Sequence, residues 1–350
     1  MAMISTATKL GWLKNLYPGY FAFTMATGII AVALDMLEMP MLSDVMYVIT
    51  VATWCVLLFL YTWRLVRFPG AVWGDLMNPQ TTFFFFSFVA ATNICGILFF
   101  LHGLSTLALL CWVCALLAWA ALLHCSFGVL TLQHAARNVN IIHGGWLMCI
   151  VGTQSLVLHG LNILPQLGSY AAHMMVWIYM LWGIGLILYV IFVTLFCYRI
   201  FFLEMSIEDY TPLMWVIMGA AAISANASSA LALSKPVMSV LVAFHPIVDM
   251  AALVSWAWAT WWIPLLVVIG CWKHFFRRVP LCYEPTQWSI VFPLGMYTVT
   301  SYRLALAAEF LPLHQISHVM LWIAIAAWCL VLAGLLGCML RGSAPLETPS

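Results

Sequence analysis

Residues 104–123 read LSTLALLCWVCALLAWAALL, twenty consecutive positions without a charged side chain. A helix needs about 20 apolar residues to cross a bilayer, so this stretch predicts a transmembrane helix. It lacks the alternation of a barrel strand, and in lipid an unbroken apolar run satisfies its backbone as a helix. The rest of the chain has the same character. Of 350 residues 65% are hydrophobic and 7% charged, and the mean hydropathy is +1.07. A soluble domain carries about 25% charged residues, and disordered chains are polar. The net charge of +1 supplies no basic stripe, so no nucleic-acid partner is expected. The fold class is an all-α polytopic membrane protein, with the lipid bilayer as its surroundings.

Ten runs of spanning length are present: Pro18–Leu34, Val45–Trp63, Pro79–Leu101, Leu104–Phe127, Ile141–Leu161, His173–Phe202, Thr211–Leu233, Val240–Trp272, Gln287–Ala308 and His314–Leu340. The loops between them are short and leave no room for a soluble domain. The expected organisation is a cytoplasmic segment 1–17, a membrane domain 18–340 and a cytoplasmic tail 341–350. The opening MAMISTATKLGWLKNLYPGY has no apolar core ahead of the first span and no A-x-A-like site, so the first span is read as an uncleaved insertion signal.

The few basic residues set the orientation. Lys9, Lys14, Arg64, Arg67, Arg137, Arg199, Lys273, Arg277, Arg278 and Arg341 all fall on one side of the ten spans. Lys235 is in a loop on the other side, and Arg303 lies within span nine. The positive-inside rule then places both termini in the cytoplasm of a multi-pass protein of the inner or plasma membrane.

Odd and even spans differ. The even ones are rich in Leu, Val, Ile and Trp. The odd ones carry small and polar residues: YPGYFAFTMATGII (17–30), NPQTTFFFFSFVAATNICG (78–96), IIHGGWLMCIVGTQS (141–155), YTPLMWVIMGAAAISANASS (210–229) and WSIVFPLGMYTVTSY (288–302). Pro18 and Pro79 start two of these units 61 residues apart. The pattern is a helical hairpin repeated five times, every copy entering from the same side and therefore parallel. Five parallel hairpins close into a ring with the polar helices toward a central pore and the apolar ones toward lipid. Small residues also serve tight helix packing, which explains Gly and Ala but accounts less well for Thr, Asn, Gln and Ser.

The motifs PGYFAFTMATGI (18–29), WLMCIVGTQS (146–155) and WSIVFPLGMY (288–297) resemble those of the tellurite-resistance/dicarboxylate transporter family, and the resemblance extends over all ten spans. That family includes slow-type anion channels of guard cells and malate and sulfite carriers. The resemblance implies ten helices in five hairpins about a pore, assembled as a homotrimer, with a small anion as the substrate and no cofactor. It also implies that Phe292, in the Phe292-Pro293 match to the family's Phe-Pro motif, gates the pore. Span five departs from the family by having Gly144 and Gly145 but no internal proline.

The candidate pore-lining residues are Thr27, Gly28, Thr92, Asn93, Gly152, Thr153, Gly219, Pro293 and Arg303. Proline frees a carbonyl and interrupts a helix, and an exposed helix N-terminus favours an anion without a fixed charge. The weakly positive edge of the Phe292 ring is compatible with an anion passing beside it. Arg303 lies 11 residues beyond Phe292, close to three turns, so the two share a face. It reads either as an anion-attracting residue at an outer vestibule or as half of a structural ion pair with Asp249 or Glu309.

The histidines make no metal-ligand set, although His143 near the cytoplasmic mouth is a candidate source of pH sensitivity. Cys111 and Cys114 form a CxxC in an apolar helix and read as small buried residues. There is no nucleotide motif, so ATP-driven transport is not expected. The reading is anion transport, not an enzyme, for inorganic anions, sulfite or C4-dicarboxylates. The alternative is a membrane-embedded haem redox enzyme. On the transport reading the purified protein is colourless, and a visible absorption band would favour the alternative.

Overall fold

A computed structural model describes residues 10–132, 139–236 and 238–341. Lys9 and Arg137, two of the residues used to assign orientation, lie outside the described residues. So do the first nine positions of the 1–17 segment and the tail beyond Arg341.

Among the described residues, ten helices have 16 residues or more. They are α1 Phe21–Met36, α2 Pro40–Arg67, α3 Phe86–Leu101, α4 Ser105–Leu132, α5 Met148–Ile163, α6 Ala171–Phe202, α7 Val216–Ala232, α8 His245–Cys271, α9 Trp288–Ala307 and α10 Pro312–Leu340. Short 3-10 turns, Thr82–Phe85, Gly144–Leu147, Pro212–Trp215 and Pro285–Gln287, lead straight into α3, α5, α7 and α9. Pro212 and Pro285 open their turns, where the missing N–H has no intrahelical partner to lose. The expected interruption at Pro293 is not found, because α9 runs through it without a break.

Seven helical stretches are long and apolar enough to cross a membrane, against the ten runs read from sequence. One of them, Gly144–Phe202, holds both α5 and α6, joined through a turn in which Gly168 has φ 51°. Helix α1 is apolar but only 16 residues long, and α9 is less apolar because Thr298, Thr300, Ser301 and Arg303 lie along it.

The packing has two tiers. Helices α1, α3, α5, α7 and α9 each pack on the next, and α9 packs back on α1, so their contacts form a closed cycle. Helices α2, α4, α6, α8 and α10 lie outside, each packed on the inner helix that precedes it in the chain. They expose large apolar side chains such as Phe59, Leu117, Ile187, Val254 and Leu330. Cys111 is buried in α4 while Cys114 is exposed, and both are free thiols.

One interaction recurs around the whole cycle. A tryptophan of each outer helix donates its indole N–H to a hydroxyl on the following inner helix. Trp54 bonds Thr92 at 3.2 Å, Trp119 bonds Thr153 at 2.7 Å, Trp182 bonds Ser228 at 2.8 Å and Trp256 bonds Ser301 at 3.0 Å. Trp328 of α10 bonds Thr27 of α1 at 3.0 Å and completes the circle. The hydroxyls of Thr27, Thr153 and Ser228 also donate to carbonyls one turn back in their own helices, which leaves their lone pairs free to accept.

The inner helices approach closely where glycine stands at the contact. A Cβ on Gly219 of α7 would lie 2.7 Å from Pro293 Cγ of α9. Gly219→Ala is therefore expected to destabilise the protein by about 1–3 kcal/mol through overpacking. Trp119→Phe, which removes one indole donor, is expected to cost about 1 kcal/mol. Thermal unfolding in detergent checks both, and a melting temperature unchanged by either would show that the contact bears no load.

Candidate functional site

The closed cycle of inner helices carries a cavity at each of two levels. The first, at the turns that open the inner helices, has a volume of ≈ 330 Å³ and is lined by Tyr17, Gln80, His143, Arg199, Asp209 and Thr286 among others. The second is small, ≈ 30 Å³, room for about one or two water-sized species. All five inner helices contribute to it: Ile29 from α1, Ile94 from α3, Ser155 from α5, Asn226 from α7, and Val299 and Arg303 from α9.

The wider cavity has an ion pair in its wall. Arg199, at the end of α6, donates to the Ile142 carbonyl and to Asp209 Oδ1 at 2.6 Å. Burial raises the Asp209 carboxyl pKa, but the Ser206 N–H and hydroxyl and the Arg199 guanidinium outweigh it, so Asp209 is held below the ordinary aspartate value and stays ionised. An analogous pair stands at the end of α2, where Arg64 bonds Asp75 at 2.5 Å and the Lys14 carbonyl at 2.8 Å. Each buried guanidinium thus ties the end of an outer helix to the segment leading into its inner partner.

His143 is fixed as a neutral ring. Its Nδ1 accepts from the Gly145 N–H at 3.1 Å, so Nε2 carries the proton and donates to the Gln80 carbonyl at 2.8 Å. Protonating Nδ1 would break the first bond, so the arrangement opposes the pH-sensing role that its position invited.

The narrow cavity is bounded on the α9 side by Met296, Val299 and Arg303. Phe292 precedes Met296 by four residues and therefore shares this face, about 6 Å along the helix. Its side chain is 1% exposed and lines neither cavity. It lies between Thr286, which lines the wide cavity, and Met296, which lines the narrow one.

Arg303 is among the residues lining the narrow cavity. Among the described residues no carboxylate lies within ion-pair distance of it, and Asp249 instead faces His245 at 3.5 Å. Its Nη1 donates to Asn226 Oδ1 at 2.7 Å, while the Asn226 amide nitrogen faces Met296 Sδ at 3.4 Å.

The other pore-lining candidates do not line this cavity. Thr27, Thr92 and Thr153 turn outward to accept from Trp328, Trp54 and Trp119. Asn93 bridges α3 and α5, donating to Ser155 at 2.9 Å and facing His159 Nδ1 at 3.0 Å. Gly28 packs against Ile94 and Thr50, Gly152 against Phe86, and Gly219 against Pro293. The physical reason is shared. A hydroxyl in a helix core needs a partner, and the outer-helix indoles supply it. The residues that do line the cavity, such as Ile29, Ile94 and Ile223, are aliphatic and carried no polar signal in the sequence. Asn226 and Ser155 were legible only as members of polar patches; their register relative to Arg303 needed the helix packing.

Sequence comparison places the chain among known proteins. The SLAC1 family model, described as voltage-dependent anion channel, matches residues 15–336. An uncharacterized membrane protein of Mycobacterium tuberculosis is 39% identical over 150 residues, 43% of this chain and 75% of that protein. Two uncharacterized transporters of Methanocaldococcus jannaschii are each 22% identical, over 93% and 92% of this chain and 94% of each relative. The family match runs from the turn before α1 to the last turns of α10 and takes in every helix of the closed cycle. The chain belongs to the SLAC1 family of anion channels and transporters.

Proposed function

We propose that this protein moves small anions across the membrane along the axis of its five inner helices. The observation that carries the reading is the narrow cavity: all five inner helices line it, and its single cation has no acidic partner among the described residues. On this reading residues 18–340 form ten crossings as five parallel hairpins in the inner or plasma membrane, with both termini cytoplasmic, and the subunits assemble as a homotrimer with one pore each. The closed cycle of helix contacts and the apolar outer tier support the hairpin ring within each subunit.

The path enters the wide cavity from the cytoplasm, is occluded at Phe292 and continues past Arg303 to the outer side. Movement is passive. The inner helices carry Asp35 as their only carboxylate, in the last turn of α1, so no acidic relay runs along the path. The substrates are inorganic anions or small organic acids, with sulfite and C4-dicarboxylates among those to be tested.

Phe292→Ala removes the proposed gate. Liposome flux assays with chloride, nitrate, sulfite and malate, with and without a pH gradient, are expected to show faster flux in the variant. A rise on the order of tenfold corresponds to about 1.4 kcal/mol off the barrier. Unchanged flux in a variant that melts like the parent protein would remove the gate assignment. Flux that requires the pH gradient would replace passive movement with coupled transport.

A further inference from the structure

A further cleft lies beside the end of α8, between the turn that opens α7 and the chain that follows α8, with a volume of ≈ 340 Å³. Pro212, Met214, Trp215, Leu266, Val267 and Ile269 give it apolar walls. Helix α8 has 27 residues, about 40 Å at 1.5 Å each, more than the roughly 30 Å of a hydrocarbon core. The cleft therefore reaches from acyl-chain depth near Leu266 to headgroup depth at Lys273.

Cationic side chains stand at its headgroup end. Lys273 lines the cleft and donates one of its three N–H groups to the Tyr210 carbonyl at 2.9 Å. Arg277 lies over the Trp272 ring at 5.1 Å from its centre. Arg278, with φ 56°, turns the chain so that Val279, Pro280 and Leu281 return as a wall of the cleft. Among the described residues none of these three cations makes an ion pair, unlike Arg64 and Arg199. Glu284, the carboxylate in the lining, accepts from the Thr286 hydroxyl at 3.2 Å. Phe275, Phe276 and Leu281, beside the cations, are strongly exposed.

We propose that this cleft holds an anionic phospholipid of the surrounding bilayer, with its phosphate at Lys273, Arg277 and Arg278 and an acyl chain along the apolar walls. The charges fit that occupant. Unpaired cations at the end of a spanning helix attract anionic headgroups, and each strengthens binding about fivefold. The walls fit it as well, because burying an acyl chain against them is favourable and a free anion gains nothing from them. Thr211 and Glu284 line both this cleft and the wide cavity. A lipid seated here therefore braces the turns Pro212–Trp215 and Pro285–Gln287 that open α7 and α9.

The test is lipid retention by the purified full-length protein, read by native mass spectrometry with phosphatidylglycerol or phosphatidylcholine added in detergent. Phosphatidylglycerol is expected to be retained at least about tenfold better. Replacing Lys273, Arg277 and Arg278 together by Gln removes the charges and leaves a donor for the Tyr210 carbonyl. This variant is expected to lose the preference while its melting temperature without lipid stays unchanged. Gly270→Leu probes the apolar part. Gly270 lines the cleft, and a Cβ there meets nothing beyond its own helix within 4 Å. Leucine thus fills the cleft without a clash and is expected to cut phosphatidylglycerol retention about tenfold with every charge in place. Equal retention of the two lipids, or retention untouched by Gly270→Leu, overturns the proposal. So does displacement of the lipid by millimolar inorganic phosphate, which would reduce the site to a phosphate site. A changed oligomeric state in Gly270→Leu with lipid retention intact would assign the cleft to a second copy of the chain. Should the Gln variant fail to fold, the parent protein and Gly270→Leu decide the matter.

Discussion

Five indole N–H groups, one from each outer helix, reach the hydroxyls of five inner helices, and the arrangement of the axis follows from this. In lipid there is no hydrophobic drive between helices, so packing and interhelical hydrogen bonds must set their relative positions. Tryptophan does both, because its ring fills the groove and its N–H fixes the register. Each bond contributes only about 1 kcal/mol. Their effect comes from closure: the bond from Trp328 to Thr27 joins the last outer helix to the first inner one, so no inner helix can rotate alone without breaking a clasp. With the hydroxyls of Thr27, Thr92 and Thr153 drawn outward, the narrow cavity is lined mostly by aliphatic residues, with Ser155, Asn162, Asn226 and Arg303 as its polar ones.

The two tiers were legible in the sequence, and the orientation of the inner helices was not. The stretch LSTLALLCWVCALLAWAALL lies in the outer helix α4, and YTPLMWVIMGAAAISANASS leads into and fills the inner helix α7. Arg303 stood out because it is basic within an apolar span, and it does reach the cavity. Thr27, Thr92 and Thr153 bond the outer-helix indoles, which the sequence did not show for a physical reason. In membrane, a polar residue lining a pore and one clasped by a neighbouring helix have the same composition and nearly the same spacing. The missing clue lay in the outer helices. Trp54, Trp119, Trp182, Trp256 and Trp328 recur at intervals of 63 to 74 residues, in step with the hydroxyls they meet. A donor recurring in step with an acceptor indicates pairing, whereas polar residues in only one tier would have left the pore reading open.

The scarce charges are also distributed by physical need. Arg64 and Arg199 are buried, yet each has a carboxylate and a backbone carbonyl, which makes an ion tolerable away from bulk water. Arg303 has only a neutral amide among the described residues. A cation held without a counter-ion inside a membrane protein is costly unless water or a mobile anion supplies the missing charge. The contrast separates Arg64 and Arg199, at the ends of their helices, from Arg303, which lies within one.

The same clasps bear on how such an axis opens. If the inner helices are held in register by their neighbours, widening the path by moving a helix would break its indole bond and the close contact at a glycine such as Gly219. Turning a side chain breaks neither. Phe292 sits one turn from Met296 on the cavity-facing side of α9, and that helix continues unbroken through Pro293. Pro293 packs against Gly219 and anchors the backbone beside the ring while leaving the Phe292 χ angles unconstrained by any hydrogen bond. Opening at a side chain would leave the clasps and the glycine contacts intact, whereas displacing an inner helix would break both.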